Sequence, residues 1–145
     1  MSKTENMVVE EADESFIEVA LRAYSTNTLP SAVSEFLGVE PTTSFVAGST
    51  RYGAKGESRG VYSKNGWLYE KTYSSDLPFE EIIGLFISEI GISQNDILKI
   101  QNDGFAVDIY VGYFGLSNGS GFAISAECIS LLSELGIKIS FSFYW

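Results

Sequence analysis

The chain has 145 residues, of which 45% are hydrophobic and 19% are charged, a balance that predicts one packed domain rather than disorder. Its formal net charge of -10 argues against binding to nucleic acid or to an anionic membrane surface, and it suits a basic protein partner. No histidine is present, so Ser-His and Cys-His nucleophile pairs and histidine zinc sites are excluded, whereas catalysis by carboxylates is not.

The start of the chain is strongly acidic. Residues 1–15 contain five acidic side chains and one lysine without helical or strand periodicity, so we expect a flexible acidic tail before a single domain over residues 16–145. The N-terminus lacks the apolar segment of a secretory signal, and no run of ~18 apolar residues could span a membrane. With a single cysteine in the chain, these features favour a cytoplasmic protein.

The domain is predicted to open with a strand and a helix. Residues 16–24 alternate between apolar and polar side chains, which indicates a strand. The alternation turns the apolar set toward a core and leaves Glu18, Arg22 and Tyr24 on the opposite face. A short helix is expected over about residues 30–37, because a proline suits its first turn and a glycine ends it.

The middle of the chain contains the least regular segment and the clearest helix. Residues 48–66 are rich in Gly, Ser, Lys and Arg and are predicted to form a loop or the loose arm of a hairpin. Residues 67–73 indicate a strand, although the pattern leaves open which face is buried. Apolar residues at helical spacing after Pro78 predict an amphipathic helix, and residues 93–100 predict one or two further helical turns.

A strong strand is predicted over residues 105–114, with Asp108 and Tyr110 on the face opposite its apolar set. An Asn-Gly dipeptide favours a tight turn over residues 116–121. Residues 122–124 could then pair back on this strand as a hairpin.

The chain is predicted to end with a helix and a strand. Ser125 caps the helix, whose apolar stripe includes Cys128, and the final strand over residues 137–145 places Tyr144 opposite its apolar residues. Tight turns between some strands favour an α+β fold over a doubly wound parallel sheet. We expect a mostly antiparallel sheet with about three helices on one face, ferredoxin-like or elaborated.

A basic strip interrupts the acidic sequence over residues 48–71, where five Lys or Arg side chains occur with only two glutamates. Its glycine-rich part invites comparison with a phosphate-binding loop, but Ala54 precedes Lys55 and Gly56 follows it, whereas that loop requires Gly-Lys-Ser/Thr. Two interpretations are left open: a solvated surface loop, and a mobile basic arm that contacts a ligand or a partner.

Several polar and aromatic side chains are predicted to share the open face of the sheet. The candidates for partner binding are Glu18, Arg22, Tyr24, Asp108, Tyr110 and Tyr144. Exposed tyrosines are frequent hot spots of protein interfaces, which supports this role. The competing interpretation is a solvated sheet surface with cross-strand charge pairs. No catalytic, cofactor-binding or metal-binding residue is predicted, and no cofactor.

A group of landmarks resembles the bacterial family called domain of unknown function 4279. The landmarks are Leu21-Arg22-Ala23-Tyr24, Leu37-Gly38-Val39-Glu40-Pro41-Thr42, Gly48, Gly66-Trp67, the helix after Pro78 and Leu135-Gly136-Ile137. The resemblance spans residues 16–145 and implies no established activity. Small acidic proteins of this kind also resemble the immunity halves of bacterial toxin systems.

The features together predict a non-catalytic protein-binding module, in particular an immunity protein that neutralises a basic bacterial toxin. The alternative is a small-ligand-binding or sensor domain that uses the open sheet face and the basic Gly-rich loop. A carboxylate-dependent enzyme is the third hypothesis. A concave pocket with convergent polar groups would favour the second or third, and a flat acidic face with exposed aromatic rings the first.

Overall fold

A computed structural model describes residues 15–115 and 122–144. The predicted acidic tail up to residue 14, the predicted turn over residues 116–121 and Trp145 lie outside the described residues. Within those residues, no helix is both long and apolar enough to cross a membrane.

Seven strands and four helices make up the described part of the chain. The strands are β1 (Phe16–Ser25), β2 (Thr43–Phe45), β3 (Thr50–Tyr52), β4 (Ser58–Val61), β5 (Asn65–Ser74), β6 (Ala106–Phe114) and β7 (Lys138–Tyr144). The helices are α1 (Ser31–Leu37), α2 (Phe79–Ile90), α3 (Gln94–Asn102) and α4 (Ala126–Leu135). The α+β class is therefore confirmed, with four helices in the described residues where about three were expected.

Five strands form one sheet in the order β2-β5-β1-β6-β7. All neighbouring pairs are antiparallel except β6 and β7, which are parallel. A parallel pair requires a crossover connection, and α4 lies in the connection between these two strands. The predicted hairpin partner of β6 is wrong, because Phe122–Ile124 form no strand. Instead the ring of Phe122 stacks on Tyr113 with the ring centroids 5.1 Å apart.

The hydrophobic core lies between the helices and one face of this sheet. The predicted inward residues of β1 are at most 1% exposed; they are Ile17, Val19, Leu21 and Ala23. Each helix contributes buried apolar side chains to the same cluster, among them Val33 of α1, Ile82 of α2, Ile97 of α3 and Leu132 of α4. All four helices therefore cover one face, and the opposite face is left to the side chains of the strands.

The buried face of β5, which the sequence left open, is decided by Trp67. Its side chain is fully buried, and its Nε1 donates a hydrogen bond to Ser34 Oγ at 3.0 Å. Tyr69 and Tyr73 pack partly buried against the same core. Because side chains alternate along a strand, Glu70 faces the other side of the sheet.

Glycines end three of the helices, as their sequence positions predict. Gly38, Gly91 and Gly136 have φ angles of 70°, 73° and 71°. Each donates its amide hydrogen to the carbonyl oxygen four residues earlier, on Ser34, Ile87 and Leu132. Only glycine enters this left-handed region without steric cost, so these residues stop their helices where the chain must turn.

The segment predicted as a loop or a loose hairpin arm is an ordered short hairpin. β3 pairs with β4 through Thr50 opposite Val61, outside the main sheet. Backbone hydrogen bonds close its base, where Gly48 N donates to Tyr62 O at 2.8 Å and Tyr62 N donates to Ser49 O at 2.9 Å. Asn65, the first residue of β5, accepts a hydrogen bond at its Oδ1 from the Ala47 amide at 2.8 Å, which holds the base of the hairpin beside the end of β5.

Candidate functional site

The open face of the sheet, opposite the helices, holds all six predicted partner-binding residues. Strand register places them on three adjacent strands: Glu18, Arg22 and Tyr24 on β1, Asp108 and Tyr110 on β6, and Tyr144 on β7. Arg22 lies opposite Asp108, and Tyr110 lies opposite Ala20. The structure therefore places all six on one face, with Tyr24 and Tyr144 at opposite ends of the strands, and it buries them to very different degrees.

A two-point ion pair crosses the centre of this face. Arg22 donates from Nε to Asp108 Oδ1 at 2.8 Å and from Nη2 to Oδ2 at 2.6 Å. Ser140 Oγ donates a third hydrogen bond to Asp108 Oδ2 at 2.9 Å. Asp108 is only 8% exposed. It therefore holds Arg22 in place and is not accessible to a binding partner.

The protonation of Asp108 follows from these contacts. Burial by itself would raise the pKa of its carboxyl group. The hydrogen bonds from Arg22 and Ser140 outweigh burial, so the pKa lies below its ordinary value. The carboxylate is therefore ionised at neutral pH, and the positive charge of Arg22 is balanced inside the face.

Aromatic rings extend from the ion pair to the end of the sheet. The guanidinium carbon of Arg22 lies 4.6 Å from the centroid of the Tyr110 ring, a cation–π distance. Phe16 stacks on Phe114 with centroids 4.8 Å apart, and Phe114 stacks on Tyr144 at 4.5 Å. The hydroxyls of Tyr110 and Tyr144 lie 3.1 Å apart. We call Phe16, Tyr110, Phe114 and Tyr144 the aromatic row; its rings hold one another in fixed positions.

Gly112 lets the aromatic row lie close to the strand. A Cβ atom built on Gly112 would approach Tyr110 Oη and Phe114 Cε1 to 2.9 Å each. Both rings therefore lean over the bare backbone of Gly112. Phe16, Gly112 and Phe114 were not among the site residues predicted from the sequence. The available signal was spacing, because Phe16 lies two residues before Glu18 and thus on the same face.

Two carboxylates lie side by side on the open face. Glu18 pairs in register with Thr72, and Glu70 pairs with Ala20, so the two glutamates are diagonal neighbours. Burial, and after it the charge of Glu70, raises the pKa of Glu18. Within residues 15–115 and 122–144, no lysine or arginine forms an ion pair with either glutamate. Glu70 Oε1 accepts hydrogen bonds from the hydroxyls of Thr42 at 3.0 Å and Thr43 at 3.4 Å. We call the two glutamates the acidic spot, which has hydroxyl partners but no cation partner among the described residues.

The geometry supports neither a metal site nor a reactive cysteine among the described residues. Among the described residues, no three His, Cys, Asp or Glu side chains lie where they could hold a metal ion. Cys128 is buried on α4, as its position on the apolar stripe predicts. Burial, followed by the nearby charge of Glu80, raises the pKa of its thiol, which disfavours the reactive thiolate.

Comparison with known protein families identifies a match over nearly the whole chain. The family model described as "Domain of unknown function (DUF4279)" matches residues 14–145. No match was found among curated proteins or among solved structures. The match covers every strand and helix of the described chain.

Proposed function

We propose that this chain, which belongs to the DUF4279 family of domains of unknown function, is a non-catalytic module that binds a basic protein partner through the open face of its sheet. The observation that carries the proposal is the aromatic row, in which stacked rings remain partly exposed to solvent. Phe16 is 40% exposed and Tyr144 is 46% exposed. Neutralisation of a basic bacterial toxin in the cytoplasm is the specific form of this function that we propose.

Fixed aromatic rings favour protein binding for an entropic reason. A side chain that loses rotamer freedom on binding costs about 0.5–1.5 kcal/mol. In the aromatic row this cost is reduced, because ring stacking and the Tyr110–Tyr144 hydroxyl contact already restrict the side chains. Tyrosine is also among the residues that most often dominate interface energetics. The rings thus supply contact area at a low ordering cost.

The charges on the open face indicate a basic partner. Arg22 is neutralised by Asp108, and the exposed Lys138 lies beside that pair. Glu18 and Glu70, in contrast, form no ion pair with a described residue. Burial, and then repulsion from Glu70, disfavours the ionised form of Glu18 in the folded chain. A lysine or arginine from a partner would relieve this repulsion. The overall charge of -10 would attract the same partner over a longer range.

The first test compares two phenylalanines of equal exposure. The full chain is used to capture a partner from extract of its own cells, and the purified pair is then studied by surface plasmon resonance. We expect Phe16→Ala and Tyr144→Ala to weaken binding by about tenfold or more, as for interface hot spots. Phe36→Ala on α1 is the matched control, because Phe36 is 39% exposed but lies away from the sheet face. Equal losses for Phe16→Ala and Phe36→Ala, or no protein partner at all, would contradict the proposal.

The second test separates binding from stability at Glu18. Its raised pKa means that ionisation costs the folded chain stability, and this cost appears as pH rises through the folded pKa. We expect Glu18→Gln to raise the melting temperature slightly at pH 7, to give no such gain below about pH 4, and yet to weaken partner binding.

The control for this test is Glu134→Gln on α4, which removes the same charge far from the open face. It should leave partner affinity nearly unchanged. If Glu18→Gln binds the partner as well as the unmodified chain does, the acidic spot is not part of the interface.

A further inference from the structure

A groove separate from the aromatic row lies between the β3–β4 hairpin and the end of the main sheet. Its volume is about 400 Å³, within the range of small-molecule sites. The residues that define it are Tyr24, Phe45, Arg51, Val61, Tyr62 and Lys64. It therefore combines three aromatic rings with two cationic side chains at the basic strip noted in the sequence.

The aromatic side of the groove is well fixed. Phe45 and Tyr62 stack with centroids 3.9 Å apart and planes 11° from parallel. Tyr24 lies 6.3 Å from Phe45. The Phe45 ring rests on the backbone of Gly66, where an added Cβ would clash with the ring. This close approach requires glycine at that position, so the ring is held by its support as well as by its neighbour.

The two cations of the groove are Arg51 and Lys64. Arg51 and Lys64 are exposed, and neither forms an ion pair with a described residue. The one glutamate of the hairpin is already engaged, because Glu57 contacts Arg59 at 3.4 Å and accepts from the Lys55 amide at 3.0 Å. On a chain of net charge -10, this groove is thus a local positive site.

A second groove on the other side of Tyr24 provides a comparison. It has a volume of about 410 Å³ and contains Arg22, Lys138 and Asp108. Asp108 accepts both hydrogen bonds of Arg22, so that cation is not free to bind an anion. In the groove beside the hairpin, neither cation forms an ion pair with a described residue.

From these contacts we infer that the groove beside the hairpin binds a small anion with a planar aromatic ring. The ring packs against Tyr24, Phe45 and Tyr62, and the anionic group, a carboxylate or a phosphate, lies between Arg51 and Lys64. A long polyanion is disfavoured, because the rest of the acidic chain repels it. This site shares no residue with the aromatic row, and Tyr24 is the one groove residue that also belongs to the six candidates of the open face.

The test uses probes that differ in one feature at a time. Isothermal titration calorimetry on the full chain compares AMP with adenosine and inorganic phosphate, and indole-3-carboxylate with indole and acetate. We expect at least one ring-bearing anion to bind about tenfold or more tightly than both its neutral ring and its ring-free anion. Preference for AMP would identify phosphate as the anionic group, and preference for indole-3-carboxylate would identify a carboxylate. Failure of both ring-bearing anions to exceed their matched probes would overturn the inference.

Variants locate the binding. Arg51→Gln and Lys64→Gln, both at exposed positions, should each weaken binding of the preferred anion by about fivefold or more. Arg59→Gln on the same hairpin is the matched control, because Arg59 faces Glu57 and does not line the groove. Phe16→Ala should leave anion binding unchanged. An equal loss with Arg59→Gln would show that the anion responds only to net charge, and would also overturn the inference.

Discussion

Asp108 is the residue of the open face whose surroundings most limit its use as a contact. The sequence predicted it to point outward between apolar neighbours, and it does lie on that face. Three hydrogen bonds from Arg22 and Ser140 occupy its oxygens. Reversal of its charge would leave Arg22 unpaired and repelled, so such a variant would report on folding rather than on partner recognition.

Replacement of Asp108 should lower stability in a pH-dependent way. We expect Asp108→Asn to lose about 2 kcal/mol of unfolding free energy at pH 7, because a charged hydrogen-bond network loses its acceptor charge. The folded pKa of Asp108 is depressed, so its contribution is present above the ordinary value of 3.8 and is lost as pH falls through the lower folded pKa. The variant and the unmodified chain should therefore converge in strongly acidic solution.

Urea unfolding at pH 7, 5 and 3 measures this convergence. The control is Asp76→Asn, since Asp76 is exposed and forms no ion pair with a described residue. A loss in Asp108→Asn no larger than in Asp76→Asn would mean that the ion pair contributes nothing net to stability.

At the scale of the strand, Gly112 determines where the aromatic row can lie. Gly112→Ala should destabilise the fold by about 1 kcal/mol, because Tyr110 and Phe114 must move from their stacked positions. Near-ultraviolet circular dichroism should show the altered ring environment, and thermal unfolding gives the stability.

Gly84 of α2 offers a matched substitution, because nothing lies within 4 Å of an added Cβ there. Gly84→Ala should stabilise the helix by about 0.5–1 kcal/mol. If Gly112→Ala is stabilising as well, the rings of the aromatic row are free to shift and are not fixed as we argue.

The strands also show which parts of the fold could be predicted. β1 and β6 were correctly located because one face of each is buried, and burial produces alternation in the sequence itself. The parallel pairing of β6 with β7 leaves no such local trace. Neither does the register that sets Arg22 against Asp108, since it depends on residues 86 positions apart. The six candidate residues were therefore placed on the right face, whereas their burial and contacts required the folded chain.

The β3–β4 hairpin is a regular element that the local sequence pattern did not predict. Its Gly-, Ser- and Lys-rich sequence has no apolar alternation, so it was predicted as a loop or a loose arm. Tertiary contacts hold the hairpin instead: Tyr62 stacks on Phe45, and Phe45 packs on the backbone of Gly66. Such contacts join residues that are far apart in sequence and are invisible to a local pattern.

For the molecule as a whole, charge is divided between two regions. The hairpin carries Arg51, Lys55, Arg59 and Lys64 with a single glutamate, while the complete chain has a net charge of -10. The open face contributes Glu18 and Glu70, neither of which forms an ion pair within residues 15–115 and 122–144. A basic protein that approaches is thus drawn to the acidic bulk and directed away from the hairpin, which leaves that end accessible to a small anion.

This division predicts how salt affects partner binding. Opposite charges accelerate encounter over distances that salt screens, with a Debye length of about 10 Å at 0.1 M and about 3 Å at 1 M. We expect the association rate constant to fall about tenfold between roughly 0.05 and 0.5 M NaCl. The dissociation rate constant, which depends on the desolvated aromatic row, should change much less.

Two variants should separate these rate constants. Phe16→Ala should act mainly on dissociation and Glu18→Gln mainly on association. Stopped-flow mixing over this salt range measures both constants. An association rate that rises with salt would mean that the partner is itself acidic, and the proposal of a basic partner would then be wrong.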